Sequence, residues 1–190
     1  MTRRFTLADI EAAGVLLRSG GVLAYPTEAV FGLGCDPLDR RAVAALFALK
    51  QRSPTQGVLL IGADFAQVER FIARDAVPCA VMEQVRASWP GPATWIFPRS
   101  ADVPTWIAGA HAGIALRVTA HPAAASLCRA FGGALVSTSA NPHGAPPARS
   151  AVEVEALFGE SLQGLLDAPL GDQTRPTVIR DALSGAIIRN

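Results

Sequence analysis

Lysine is almost missing from this sequence: of its 17 basic residues all but one are arginine, and Lys50 is the sole ammonium side chain. A chain that otherwise uses arginine throughout has two reasons to keep a lysine. Either a compact point charge is needed where a planar guanidinium would not fit, or the residue is a leftover on a helix end. Cysteine is scarce too. Cys35, Cys79 and Cys128 are odd in number and far apart, with no CxxC pair and no histidine at ligand spacing, which argues against a disulfide framework or a zinc site and for free thiols in a reducing compartment. No uninterrupted apolar run reaches the roughly 18 residues of a membrane-spanning helix. The N-terminal stretch, with Asp9 and Glu11 close behind Arg3 and Arg4, lacks the apolar core of a signal peptide, so a soluble cytoplasmic protein is expected. The net charge of +1 gives the molecule no strong field for a polyanion, and any nucleic-acid contact would need a local basic patch. Also absent are a Walker A loop, a GxGxxG fingerprint, a nucleophile elbow and an HExxH helix.

What is present fits one compact domain: 190 residues, 50% of them hydrophobic and 17% charged, enough for a continuous core. Thr6 reads as the cap of a helix over Leu7 to Arg18 that stops at Ser19-Gly20-Gly21. A strand over Val22 to Tyr25 follows, and then a glycine-interrupted turn region, Gly32 to Pro37. Asp39 opens a helix whose apolar positions Val43, Leu46 and Phe47 recur at helical spacing and place Lys50 at its C-terminal end. Further strands are expected at Gly57–Ile61, Thr94–Phe97, Ile114–Val118 and Ala134–Val136. Further helices are expected at Phe65–Ala73, Cys79–Ser88 and Ala123–Phe131, and Ser150 with Glu153 is a capping-box start. Thr177–Arg180 and Ala186–Arg189 read as a terminal strand pair around Ser184-Gly185. Strands and helices interleave without a strict βαβ repeat, so the expected fold is α/β or α+β, a twisted mixed sheet flanked by helices with a concave ligand cleft.

Three clusters carry chemical possibilities. Tyr25-Pro26-Thr27-Glu28, running into Gly32-Leu33-Gly34, offers a rigid proline, a hydroxyl and a carboxylate beside glycines that admit a close ligand; a plain strand-to-loop turn would look the same. Lys50-Gln51-Arg52 brings two cations to a helix exit, where Ser53-Pro54 lets the backbone leave, and such cations suit phosphate or carbonate oxygens; a solvated surface pair is the alternative. Ser137-Thr138-Ser139-Ala140-Asn141, directly after an apolar strand, is either a holder of phosphate, ribose or carboxylate oxygens or a turn satisfying its own backbone. Arg117 alternates with Leu116 and Val118 and could face a cleft, where its fork would suit a carboxylate. His111, His121 and His143 show no metal-cage spacing, and Trp89, Trp95, Trp106 and Phe97 read as core rather than as a stacking platform.

Taken in order, these segments resemble the YrdC-like family. Pro26-Thr27-Glu28 to Asp36 resembles its N-terminal signature and Lys50-Gln51-Arg52 its K-x-R motif. Trp89-Pro90-Gly91-Pro92-Ala93-Thr94, Leu116-Arg117-Val118 and Ser137 to Asn141 with Gly144 complete the set, and Ile179-Arg180-Asp181-Ala182 resembles its C-terminal hairpin. The length is similar to that of the short, single-domain TsaC form, spanning 1–190. The resemblance implies an enzyme that joins L-threonine, bicarbonate and ATP into threonylcarbamoyl-AMP and pyrophosphate, with Mg²⁺ accompanying ATP and no prosthetic group. It implies that Thr27 and Arg117 hold threonine, that Lys50 and Arg52 are catalytic and hold the carbonate-derived group and the phosphates, and that Thr94, Ser137, Ser139, Asn141 and Arg189 contact the nucleotide. It further implies that the adenylate passes to a TsaD/TsaB/TsaE-type complex modifying tRNA beside the anticodon, with direct tRNA or RNA contact a possibility and no membrane partner.

The chain departs from the family pattern at Ser53, which precedes Pro54, at Gln56, which replaces a basic residue, and at Pro176. Two other functions compete: a non-catalytic double-stranded RNA or tRNA-binding module, and a carbamoyl transferase of the hydrogenase-maturation kind.

Overall fold

The computed structural model describes residues 2–53, 55–175 and 177–189; Pro54 and Pro176, the latter one of the departures from the family pattern, lie outside the described residues. Ten strands of the described residues join one sheet: β1 (Arg3–Phe5), β2 (Leu23–Pro26), β3 (Phe31–Gly34), β4 (Leu59–Gly62), β5 (Ala93–Pro98), β6 (Gly113–Val118), β7 (Leu135–Ser139), β8 (Gly164–Leu166), β9 (Val178–Asp181) and β10 (Ile187–Arg189). Their spatial order is β1-β8-β2-β3-β7-β4-β6-β5-β9-β10. Parallel pairs (β1·β8, β2·β8, β4·β6, β5·β9) mix with antiparallel ones (β2·β3, β3·β7, β4·β7, β5·β6, β9·β10), so the sheet is mixed, as expected. Among the described residues no helix is long and apolar enough to cross a membrane.

Among the described residues seven α-helices flank the sheet: α1 (Ile10–Arg18), α2 (Arg40–Lys50), α3 (Phe65–Glu69), α4 (Cys79–Ala87), α5 (Thr105–Ala108), α6 (Pro122–Phe131) and α7 (Ala151–Phe158). Strand residues alternate between two cores, which is the period-two consequence of the pleat. Leu23, Tyr25, Ile61 and Leu135 point to the side occupied by α1 and α6. Val22, Ala24, Leu60, Leu116 and Val136 point to the opposite side, where α2 and α4 pack. Gly14 lets α1 and α6 cross closely, because a Cβ there would sit 2.6 Å from the Ala130 carbonyl oxygen.

Three expectations need correction. Leu7–Asp9 is a 3-10 turn leading into α1, and the Asp9 carboxylate accepts both the Thr6 N–H and hydroxyl, so the acid rather than the hydroxyl organises this start. The stretch read as a glycine turn is strand β3: small residues there let β2 and β7 approach, since a Cβ on Gly34 would lie 2.6 Å from the Val136 oxygen and 2.7 Å from the Tyr25 ring. Strand β7 runs on to Ser139, so Ser137 and Thr138 belong to the sheet and not to a loop. Strands β1 and β8 and helix α5 carried no sequence signal, being three or four residues long.

Candidate active site

The register shows where an open face of the sheet must lie. Leu59 pairs with Ser137 on one side and Ala115 on the other. Ala115 pairs in turn with Ile96, and Thr94 with Ile179. These residues share the face that α1 and α6 cover over β2, β7 and β4, and beyond β4 that helical layer stops. A cleft of about 680 Å³ occupies the uncovered part, with Thr27, Arg52, Arg117, Ser137, Thr138, Ser139 and Arg189 among its lining residues.

Arg117 rises from β6 and is 7% exposed. Its Nε donates to Thr94 Oγ1 at 3.0 Å and its Nη1 to Glu28 Oε2 at 3.1 Å. The Thr119 hydroxyl donates to the other Glu28 oxygen at 2.6 Å. Among the described residues Arg52 Nε is the single fully buried side-chain nitrogen or oxygen without a partner, and Arg117 is among the residues that line the cleft. Burial raises the Glu28 carboxyl, but Arg117 and the Thr119 hydroxyl outweigh it and hold it below the usual range. Burial lowers Arg117 while Glu28 pulls it back up, and a guanidinium stays charged throughout the physiological range.

Arg52 enters from the end of α2. Gln51 adopts the left-handed conformation at φ 51°, and the Arg52 N–H bonds back to the Phe47 carbonyl, a helix stop that turns the chain sharply. Its Nη2 donates to the Gly57 carbonyl at 2.7 Å and Nη1 to Thr138 Oγ1 at 3.4 Å. Burial first, and Arg189 second, lower its pKa; Arg189 acts on Arg117 in the same direction. Three arginines therefore bear on one cleft, with Glu28 the one carboxylate bonded to any of them among the described residues, an arrangement that favours an anion.

The remaining predicted residues are placed unequally. Thr27 lines the cleft, its hydroxyl donating to the Val30 carbonyl at 2.7 Å. Ser137 and Ser139 line it from the end of β7. Thr94, Lys50 and Asn141 do not line it: Thr94 stands behind Arg117, and Lys50 and Asn141 bond to each other under Ser139. Glu28 and Thr119 were not singled out as site residues. Glu28 belonged to a motif, but its partner lies 89 positions away, a separation no local spacing encodes. His121 is structural, its Nδ1 accepting from the Ala124 N–H at the start of α6 and its Nε2 lying 3.1 Å from the Pro169 carbonyl.

Among the described residues no group of three or more His, Cys, Asp or Glu could hold a metal ion. The lining of arginines and hydroxyls is poor in the carboxylate oxygens Mg²⁺ prefers, and both Glu28 oxygens are engaged. The protein side of this cleft does not fit a resident metal.

The family model named Sua5_yciO_yrdC, described as "Telomere recombination", matches residues 15–190. The chain belongs to this Sua5/YciO/YrdC family. Among its members is the "Threonylcarbamoyl-AMP synthase" of Halorhodospira halophila, 53% identical over 95% of this chain and 93% of that protein. That of Alkalilimnicola ehrlichii is 51% identical over 99% and 97%. Among solved structures, P. abyssi Sua5 complexed with L-threonine superposes with a TM-score of 0.87 at 28% identity, covering 95% of this chain and 54% of that one. This chain thus spans about half of that P. abyssi protein. E. coli YciO (TM-score 0.86, 23% identity) and full-length HypF (0.80, 19%) share the fold.

Proposed function

We propose that this chain is the enzyme that condenses L-threonine, bicarbonate and ATP into threonylcarbamoyl-AMP and pyrophosphate. The observation that carries the reading is the convergence of Arg52, Arg117 and Arg189 on one hydroxyl-lined cleft, in a chain about half identical over its length to named synthases. The threonine amine attacks bicarbonate carbon and water leaves. An oxygen of the resulting carbamate then attacks the α-phosphorus of ATP, and pyrophosphate departs with the bonding pair. Charge develops on carboxyl and phosphoryl oxygens alone, so fixed cations can carry the catalysis without a covalent enzyme intermediate.

In this reading Arg117, braced by Thr94 and Glu28, offers Nη2 to the threonine carboxylate beside Thr27. Arg52 and Arg189 take the polyphosphate, and Ser137 and Ser139 meet the nucleotide. Lys50 and Asn141 support the end of β7 from behind. Mg²⁺ would accompany ATP as part of the substrate, where it would offset phosphate charge that Arg52 and Arg189 leave unneutralised. The chain works in the cytoplasm, and its mixed anhydride, being prone to hydrolysis, passes to a separate TsaD/TsaB/TsaE-type complex acting on tRNA. Pyrophosphate release, measured with threonine and bicarbonate omitted in turn, tests this: release that needs both is expected, and release indifferent to either would contradict it.

A further inference from the structure

We infer that Lys50 is a positioning residue that clamps the Ser139–Asn141 turn beneath the cleft and makes no contact with substrate. The inference rests on the proposed function for the identity of the nucleotide site. An ammonium has three N–H donors. Lys50 Nζ donates to the Ser139 carbonyl, to the Asn141 carbonyl at 2.8 Å and to Asn141 Oδ1 at 3.3 Å. All three protons therefore have acceptors on one turn. The residue is 4% exposed and is not among those lining the cleft. Its backbone adds a fourth tie, since the His143 N–H donates to the Lys50 carbonyl at 2.9 Å.

The turn is closed from within as well. Asn141 Oδ1 accepts the Ser139 hydroxyl at 2.5 Å, and Asn141 Nδ2 donates to the Pro142 and Ala145 carbonyls at 3.0 and 2.7 Å. Ser139 is the member of this assembly that reaches the cleft, so Lys50 acts through it. The left-handed Gln51 explains how two cations one residue apart take different places: the chain reverses between them, sending Lys50 under the turn and Arg52 into the cleft. The geometry also answers why the single lysine stands here. Three acceptors converging on one point suit tetrahedral donors on one atom, whereas a guanidinium spreads its donors around a planar fork.

Two measurements on the full-length chain test this. In the ligand-free protein, hydrogen exchange of the 139–145 amides is expected to accelerate in Lys50→Met and to stay near wild type in Arg52→Ala; unchanged exchange in Lys50→Met overturns the clamp. By calorimetry, Lys50→Met is expected to weaken AMP, ADP and ATP by the same factor, with Lys50→Arg no better. The Lys50→Met/Asn141→Ala double variant is expected to be no weaker than the worse single one, the non-additivity of groups that act as a unit. A loss that grows from AMP to ATP, or an arginine that restores affinity, would place Lys50 on the phosphates and overturn the inference. Should Lys50→Met fail to fold, Asn141→Ala carries the test alone. It must accelerate the same amides and weaken the three nucleotides equally, and failure of either sinks the proposal. Threonine-dependent pyrophosphate release by the wild type is read separately, so the functional reading can fail without deciding this one.

Discussion

Glu28 and Arg117 are each only 9% exposed at the side chain, which places the pair under the rule for buried ions, not the one for surface bridges. Removing one partner leaves a buried charge without compensation. Glu28→Ala is expected to lose about 3–5 kcal/mol in urea unfolding and to raise the KM for threonine more than that for ATP, because Arg117 loses its brace; an unchanged stability would contradict the assigned pairing. Lys50 yields a pH prediction. Burial, and then the neighbouring Arg52, push its pKa down to about 8, so its cationic form prevails below that pH. Activity should fall as pH rises through about 8, a limb that Lys50→Met should lack. Stability should move the other way. Between about 8 and its ordinary value the unfolded chain binds the proton more than the folded one, so this group's contribution to stability rises with pH across that window. At this scale the sequence exposed the types and the motifs, and its lone lysine pointed to a special site. It could not separate residues that touch the cleft from those that stand behind it, because Thr94 is placed by the pairing of distant strands and Lys50 is parted from Arg52 by a left-handed backbone at Gln51 that residue type does not announce.

The elements best read from sequence were those with long periodic patterns or explicit caps. Helix α2 begins where Asp39 suggested, its carboxylate accepting from Arg41 and Ala42 N–H groups at 2.8 and 3.3 Å. Strand β3 was hidden because glycine marks turns more often than strands, yet a strand wedged between β2 and β7 needs residues without side chains at its tightest points. Gly34→Ala should therefore cost about 1–3 kcal/mol, the usual penalty for overpacking, measured as a lower urea midpoint at unchanged slope; a neutral effect would mean that β3 sits farther from β7. The same substitution lies next to Leu33, whose partner Thr138 lines the cleft, so it should also reduce turnover.

At the scale of the whole molecule, the mixed sheet flanked by helices was legible from the interleaving of element types, but the strand order was not. The pairings β1·β8 and β5·β9 join segments far apart in the chain, and the cleft exists because α1 and α6 cover one part of a sheet face and leave the rest open. That incomplete layer sets three arginines around a hydroxyl-lined space in a protein of net charge +1. Attraction to a polyphosphate is thus local and screened over about one Debye length. ATP affinity should fall with added salt, and Arg189→Ala, at the exposed rim, should lower both the affinity and the salt slope; an unaltered slope would remove Arg189 from the phosphate site. The most direct test of the account follows the carbon of labelled bicarbonate. With ATP and threonine present, the account predicts label in threonylcarbamoyl-AMP, lost when threonine is omitted and sharply reduced in Arg52→Ala. A folded protein that leaves all label in bicarbonate would contradict it.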